Sequence, residues 1–380
     1  MKTFLLFLVV AGNALAGEIV RGPYLQMPEA NGITVVWRAK DSTKRVDFGL
    51  SHDCNDGHAT AHKDGNNLVA NLTGLLPGTN YFYRVEGQTF SMRTPRKADQ
   101  PYRFAIIGDF GTATANAAAI AKLVNGTECD FLLTVGDNVY PSGERKLYDP
   151  HWFKPYAPTM SRVPCFPTLG NHDVKTENGK PFVDYFCLPT NGPAGLLERN
   201  YSYDYGNAHF VAIDSNPFEN KQKDVAAKIT NWVRLDLAAT KQPWKFAYWH
   251  HPGHTSTGNH DECALIRDEL LPVLEAAGVQ MVFCGHNHFY ERIKPINGIV
   301  TIITGGGGQE LQKVELHRPY SAKLVGDRFS YTVVEIAGSA LSLRQIDGDG
   351  KTVDEFGLNI APAHRIGVQQ PATYEPAEVR

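Results

Sequence analysis

Hydrophobic positions follow two rhythms along this chain, and the change falls near residue 100. Between 18 and 94, short β-branched and aromatic runs are punctuated by Gly, Pro, Asn and Asp. Residues 32–38 (GITVVWR), 45–50 (RVDFGL) and 80–86 (NYFYRVE) read as strands, and 72–83 as a loop that leads into one. Residues 94–97 read as a linker. From 102 onward, apolar runs at 103–107, 131–135, 209–213, 245–249 and 280–284 predict buried strands. Between them, helical spacing predicts helices over 115–124, 225–239 and 263–277, with Pro272 kinking or ending the third. Residues 299–304, 331–336 and 341–346 predict further strands. This order predicts an N-terminal all-β sandwich over 18–97. A layered α/β domain, its β-sheets flanked by helices, follows over 100–360. Residues 361–380, Pro-rich and polar, read as a flexible tail.

The first sixteen residues follow neither rhythm. Lys2 precedes an apolar stretch that ends at Ala14-Leu15-Ala16, the pattern of a cleaved secretory signal. The expectation is a secreted, extracellular or periplasmic protein, and losing Lys2 takes the net charge from −3 to −4. Such balance, without a run of like charges, argues against a nucleic-acid binder. No internal stretch is long and apolar enough for a membrane span, so none is expected in the mature form. An oxidising compartment makes one or two disulfides plausible among Cys54, Cys129, Cys165, Cys187, Cys263 and Cys284. No pair is spaced CxxC, which argues against a zinc ribbon. Asn71, Asn125 and Asn200 head glycosylation sequons.

The chemistry sits where the second rhythm breaks. Gly108-Asp109-Phe110-Gly111 and Gly136-Asp137-Asn138-Val139-Tyr140 follow the first two strands of that half. Gly170-Asn171-His172-Asp173 comes next. His250-His251-Pro252 and Gly285-His286-Asn287-His288 follow two more strands. In open α/β sheets, ligands gather past the carboxyl ends of the strands. Carboxylates, imidazoles, an amide oxygen and a phenol together make a metal-binding set. Any one motif alone reads as a turn; five in one order do not. Two other motifs read differently. Gly305–Gly308 lacks the Lys-Ser/Thr of a P-loop and reads as a loop passing close beneath the histidine ligands. Asp347-Gly348-Asp349-Gly350 lacks the full spacing of a calcium loop and reads as a hairpin turn.

The ordered set resembles the calcineurin-like metallophosphoesterases, and Tyr140 narrows the resemblance to the purple acid phosphatases. The run His288-Phe289-Tyr290-Glu291-Arg292 resembles the plant-type members. So does the preceding sandwich, which is similar to a fibronectin type III domain. The resemblance covers roughly 20 to 345. It implies a dinuclear centre with Asp109, Tyr140 and His288 on Fe(III). Asn171, His250 and His286 would hold a divalent Zn, Mn or Fe, and Asp137 would bridge. Hard anionic donors suit the trivalent ion, imidazoles and an amide the divalent one. The implied reaction is acid phosphatase chemistry: hydrolysis of small phosphate monoesters by a hydroxide generated at the metals. His172 would contact phosphate or assist proton transfer, and His260 would stand near the leaving group, with His254 competing for that place. His251 departs from the family and adds a second imidazole beside His250. His251 and His254 are further candidates for substrate contact. The resemblance also admits a homodimer. A phosphodiesterase with another metal pair is the alternative. A non-catalytic secreted binding protein is the remoter one, because every proposed ligand is retained.

Overall fold

The structure, a computed structural model, describes residues 17–256 and 260–360. The signal-peptide and tail readings lie outside the described residues. No helix among those described is long and apolar enough to cross a membrane.

The N-terminal half is two four-stranded sheets. Glu18–Glu29, Gly32–Lys40, Asn67–Thr73 and His62–Asp64 form one, in that order. Gly57–Thr60, Arg45–Gly49, Asn80–Val85 and Gln88–Arg93 form the other. Leu25, Val35 and Trp37 from the first meet Val46, Tyr83 and Val85 from the second in one core, so the expected sandwich is present. Its corner closes where the Leu76 N–H donates to Tyr81 Oη at 3.0 Å. Strand Glu18–Glu29 escaped the sequence reading because register shifts around Arg21 break its two-residue period.

The second half packs a six-stranded sheet against a seven-stranded one. Parallel strands Tyr102–Ile107, Phe131–Thr134 and Cys165–Pro167 lie in the first. Parallel strands Ala208–Ala212, Trp244–Tyr248, Met281–Cys284 and Ile299–Thr304 lie in the second. Alternation along each strand sorts the side chains. Inward, Phe104 meets Phe210, Phe246 and Phe283 at ring-centroid distances of 5.5, 6.2 and 6.1 Å. Outward, Val211, Ala247 and Val282 pack beneath the helices Lys223–Ala239 and Leu271–Ala276. Burying each large apolar side chain contributes ~1.5–3 kcal/mol, which holds the strands in one register. Pro272 neither ends nor visibly breaks its helix. A widened π-type turn over Ile266–Leu270 precedes it, and Pro272 takes one of the first positions of the segment that follows, where an N–H is not needed.

The halves are sewn together away from the strand-end loops. Arg21 donates to Asp149 through Nε at 2.5 Å and Nη2 at 2.9 Å. Its guanidinium lies 3.9 Å from the Tyr185 ring centroid and 4.4 Å from that of Phe153. Tyr83 Oη donates to the Ser161 carbonyl at 2.6 Å and Asn67 Nδ2 to that of Asp184 at 3.0 Å. All six cysteines are unpaired, contrary to the expectation of a disulfide. Of the sequon asparagines, Asn200 is fully buried and Asn125 spends both ends of its amide on Pro155 and Thr159, whereas Asn71 is exposed.

One buried charge outside the strand-end loops gives a pH prediction. His209 Nδ1 donates to Asp204 at 2.6 Å and Nε2 to Asp236 at 2.8 Å. Burial alone would lower its pKa, but the two carboxylates win and raise it from 6.5 to about 9. A raised folded pKa stabilises fully below the unfolded value and fades as pH climbs through the folded one. The stability lost on His209→Gln should therefore be largest at pH 6 and shrink between about 6.5 and 9. Urea midpoints of both proteins across that range check it; a difference that grows with pH contradicts the assignment.

Candidate metal centre

Every proposed ligand arrives at one crevice past the carboxyl ends of the parallel strands. Asp109, Asp137 and His286 all take left-handed backbone, with φ of +57°, +51° and +70°. Non-glycine residues rarely hold that conformation, and it turns each side chain sharply off its strand end. Gly170 allows a close approach: a Cβ there would fall on the Asp137 carboxylate and main-chain nitrogen. Gly305–Gly308 does pass close beneath the site. It packs against Asp109, Gly108 and the carbonyl of Asn287, the residue between His286 and His288. Asp347 accepts from the N–H groups of Asp349 and Lys351 in the expected hairpin turn.

Two sets of donors converge. Asn171 Oδ1 lies 3.0 Å from His250 Nε2 and 3.1 Å from His286 Nδ1, and those nitrogens are 3.2 Å apart. Tyr140 Oη lies 3.1 Å from Asp109 Oδ1 and 3.2 Å from His288 Nε2. Donor atoms ~2.1 Å from a shared ion stand ~3.0–3.4 Å from one another, so both sets fit a cation. Tautomers agree. His250 Nδ1 donates to the Val135 carbonyl at 2.8 Å, and His288 Nδ1 to that of Glu310 at 2.7 Å. Each Nε2 is thereby the nitrogen turned toward its donor set. His250 Nε2 and Asn171 Oδ1 stand 3.0 Å apart, and a cation there would displace any proton on Nε2 and take a lone pair from each. Asp137 reaches toward both sets: its Oδ2 lies 3.4 Å from His250 Nε2, and its charge is felt at the Tyr140 phenol.

The electrostatics follow from burying these groups together. Burial opposes ionisation of Asp137, but His250 and His172 outweigh it and hold the carboxyl below the usual range. Burial pulls His250 down, and Asp137 and Asp109 push it up to about 9. Burial and the neighbouring imidazoles push His286 far down. Burial, then Asp137 and Asp109, keep the Tyr140 phenol well above its ordinary value. A bound cation inverts that logic and draws a proton off the phenol.

The remaining candidates divide. His172 borders the set: its N–H donates to Asp137 Oδ1 at 2.8 Å, and its ring lies 4.3 Å from that of Tyr140. His260 stacks on His286 at 3.9 Å between ring centroids. His251 is buried, takes Ser215 Oγ on Nδ1 at 2.8 Å, and leaves Nε2 without a partner. A ring nitrogen of each of His250, His251 and His286 lies within 4.8 Å of the others. His254 turns instead toward Glu262, 3.7 Å away, and Tyr320, outside the donor sets. Three buried supports went unread in the sequence. Asp173 accepts from Asn138, Val139 and Gly170 N–H groups and ties the Asp137 and Asn171 loops together. Ser215 Oγ accepts from the His250 and His251 N–H groups at 3.3 and 3.1 Å. Glu291 accepts from Ser256 N–H at 2.8 Å, pinning the loop that leads to His260. An acid directly after Asn171-His172 was the one available signal.

Known proteins carry the same architecture. The profile of the calcineurin-like phosphoesterases matches residues 102–290. Purple acid phosphatase 15 of Arabidopsis thaliana is 26% identical over 64% of this chain and 54% of its own length. Purple acid phosphatase 22 of the same plant is 27% identical over 73% of this chain and 69% of its own. The chain thus spans about half of the first of these relatives and about two thirds of the second. A purple acid phosphatase from yellow lupin (Lupinus luteus) seeds superposes with a TM-score of 0.76 at 20% identity, covering 90% of this chain and 74% of that one, which shows the shared fold. The donor sets fall at the strand ends of the matched domain, and residues 102–290 are a calcineurin-like phosphoesterase domain whose curated relatives are purple acid phosphatases.

Proposed function

We propose that this chain is a secreted purple acid phosphatase that hydrolyses small phosphate monoesters. Asp109, Tyr140 and His288 would hold Fe(III), and Asn171, His250 and His286 a divalent Zn, Mn or Fe, with Asp137 shared. When bound, such ions supply Lewis acidity toward phosphoryl oxygens and acidify water. The chain's own groups do the rest. Asp137 and Asp109 would supply the negative charge that the cations require. His172 borders the phosphate position on the Tyr140 side. His260, whose ring centroid lies 3.9 Å from that of His286, would hand a proton to the leaving oxygen. The proposed secretion rests on the sequence of the first sixteen residues.

The observation that carries the reading is the phenol inside a donor set, 3.1 Å from Asp109 and 3.2 Å from His288. A phenolate on Fe(III) gives a visible charge-transfer band. The purified protein, loaded with iron, is expected to be coloured, and Tyr140→Phe to bleach the band while the fold survives, since only one hydroxyl is lost. The same preparation should cleave an aryl phosphate monoester at least ~10-fold faster than the corresponding diester, a difference of ~1.4 kcal/mol in barrier. A colourless iron-loaded wild type removes the purple assignment. Diester preference moves the chain to phosphodiesterase.

A further inference from the structure

The turn after His172 carries a cation that the site described above does not use. Lys175 is exposed, and its Nζ lies 3.1 Å from His172 Nδ1 and 3.4 Å from Nε2. That Nδ1 sits 2.6 Å from the Pro141 carbonyl, so its proton is committed there. The ammonium therefore finds one neutral acceptor in the structure, the bare Nε2 at 3.4 Å. Among the described residues it forms no ion pair. Two acids of the following turn and helix are held by other cations: Arg145 holds Glu177 at 2.9 Å and Asp184 at 2.6 Å, and Lys180 also holds Asp184 at 2.6 Å.

The position is built. Lys175 N–H closes a turn on the His172 carbonyl, and buried Asp173 fastens that turn to the loops of Asp137 and Asn171. From the ammonium to the shared carboxylate is two short steps: 3.4 Å to His172 Nε2, then 3.9 Å to Asp137 Oδ2. An unneutralised ammonium at this distance from a phosphoryl position meets whatever negative group the substrate carries next to the reacting one. A lysine suits that task as a mobile point charge on a flexible stem.

We propose that Lys175 is a specificity-determining residue. Its ammonium binds the second phosphoryl group of a diphosphate-type substrate whose first group lies between the two donor sets. The proposal rests on the dimetal phosphatase reading for the position of that first group. It adds to it a preference for two phosphoryl groups joined through one bridging atom over a lone one.

The test reads binding without turnover. Metal-loaded full-length protein is titrated with methylenediphosphonate, whose P–C–P link is not hydrolysed, and with methylphosphonate. Lys175→Gln is expected to weaken the diphosphonate about tenfold and methylphosphonate by under about twofold, and Lys175→Arg to restore most of the loss. Equal weakening of both ligands, or none, overturns the proposal. Hydrolysis of an aryl phosphate by the same samples separates the two readings. Selective weakening in a protein without turnover upholds the Lys175 subsite and sinks the hydrolase. Turnover with unselective weakening does the reverse.

Discussion

Asp137→Asn should lose at least ~10³-fold in turnover and release metal from both sets. Groups that merely orient a ligand cost ~10–100-fold when removed, and Asp137 faces both sets directly. The substitution keeps the shape and the Oδ1 that accepts the His172 N–H at 2.8 Å. What it removes is the anion that faces His250 Nε2 at 3.4 Å and bears on Tyr140. Without it, two cations side by side have lost the charge that screens them from each other. Metal analysis after gel filtration, with aryl phosphate hydrolysis, reads the result. A variant that retains both ions and near-normal turnover would refute the bridging role.

Gly170→Ala is expected to do comparable damage with a single methyl group. The new Cβ would fall on the Asp137 carboxylate and on the Asp137 main-chain nitrogen, and backbone cannot yield there. The Asp137 loop is held from behind by Asp173 through the Asn138 and Val139 N–H groups, so it has nowhere to retreat. Overpacking of this kind costs ~1–3 kcal/mol, and here the displacement lands on a ligand. Metal content should fall along with the urea midpoint. Gly126→Ala is the control: nothing lies within 4 Å of its added Cβ and it ends a helix, so metal content should hold and the urea midpoint should stay or rise slightly. If Gly170→Ala binds metal and unfolds like wild type, the close approach described above is not rigid.

Most of the crevice was legible because its residues are local to strand ends. An apolar run that stops at Gly-Asp or at His announces both the element and the turn, and Asp109, Asp137, His250 and His286 sit at those stops. Tyr140 was readable as a phenol three residues past an acid. What escaped is what the chain brings from afar. Asp173 looks like any acid in a loop until Asn138, 35 residues away, donates to it. Ser215 supports His250 from a comparable distance with no period or motif to mark it, and Glu291, although part of the run after His288, gives no sign in the sequence that it holds the Ser256 N–H. His254 was plausible by proximity in sequence, yet Glu262 draws it away. The docking of Arg21 against Asp149 joins residues 128 apart and leaves no trace in composition. Pro272 misled in the other direction, because helix rules assume an even coil and the turn before it is widened.

The gathering of donors at Asn171, His250 and His286 also bears on how long the molecule lasts. Atoms 3.0 to 3.2 Å apart are brought together by the fold alone, so a cation held there would bind the folded form and not the unfolded chain. Ligands that bind only the folded form add stability in proportion to the logarithm of their free concentration. If the two donor sets hold metal as proposed, metal supply would govern two things at once: how much of the protein is loaded, and how readily the remainder opens to a protease. A metal-starved population would thin out by turnover of the chain itself, leaving the loaded molecules over-represented among the survivors.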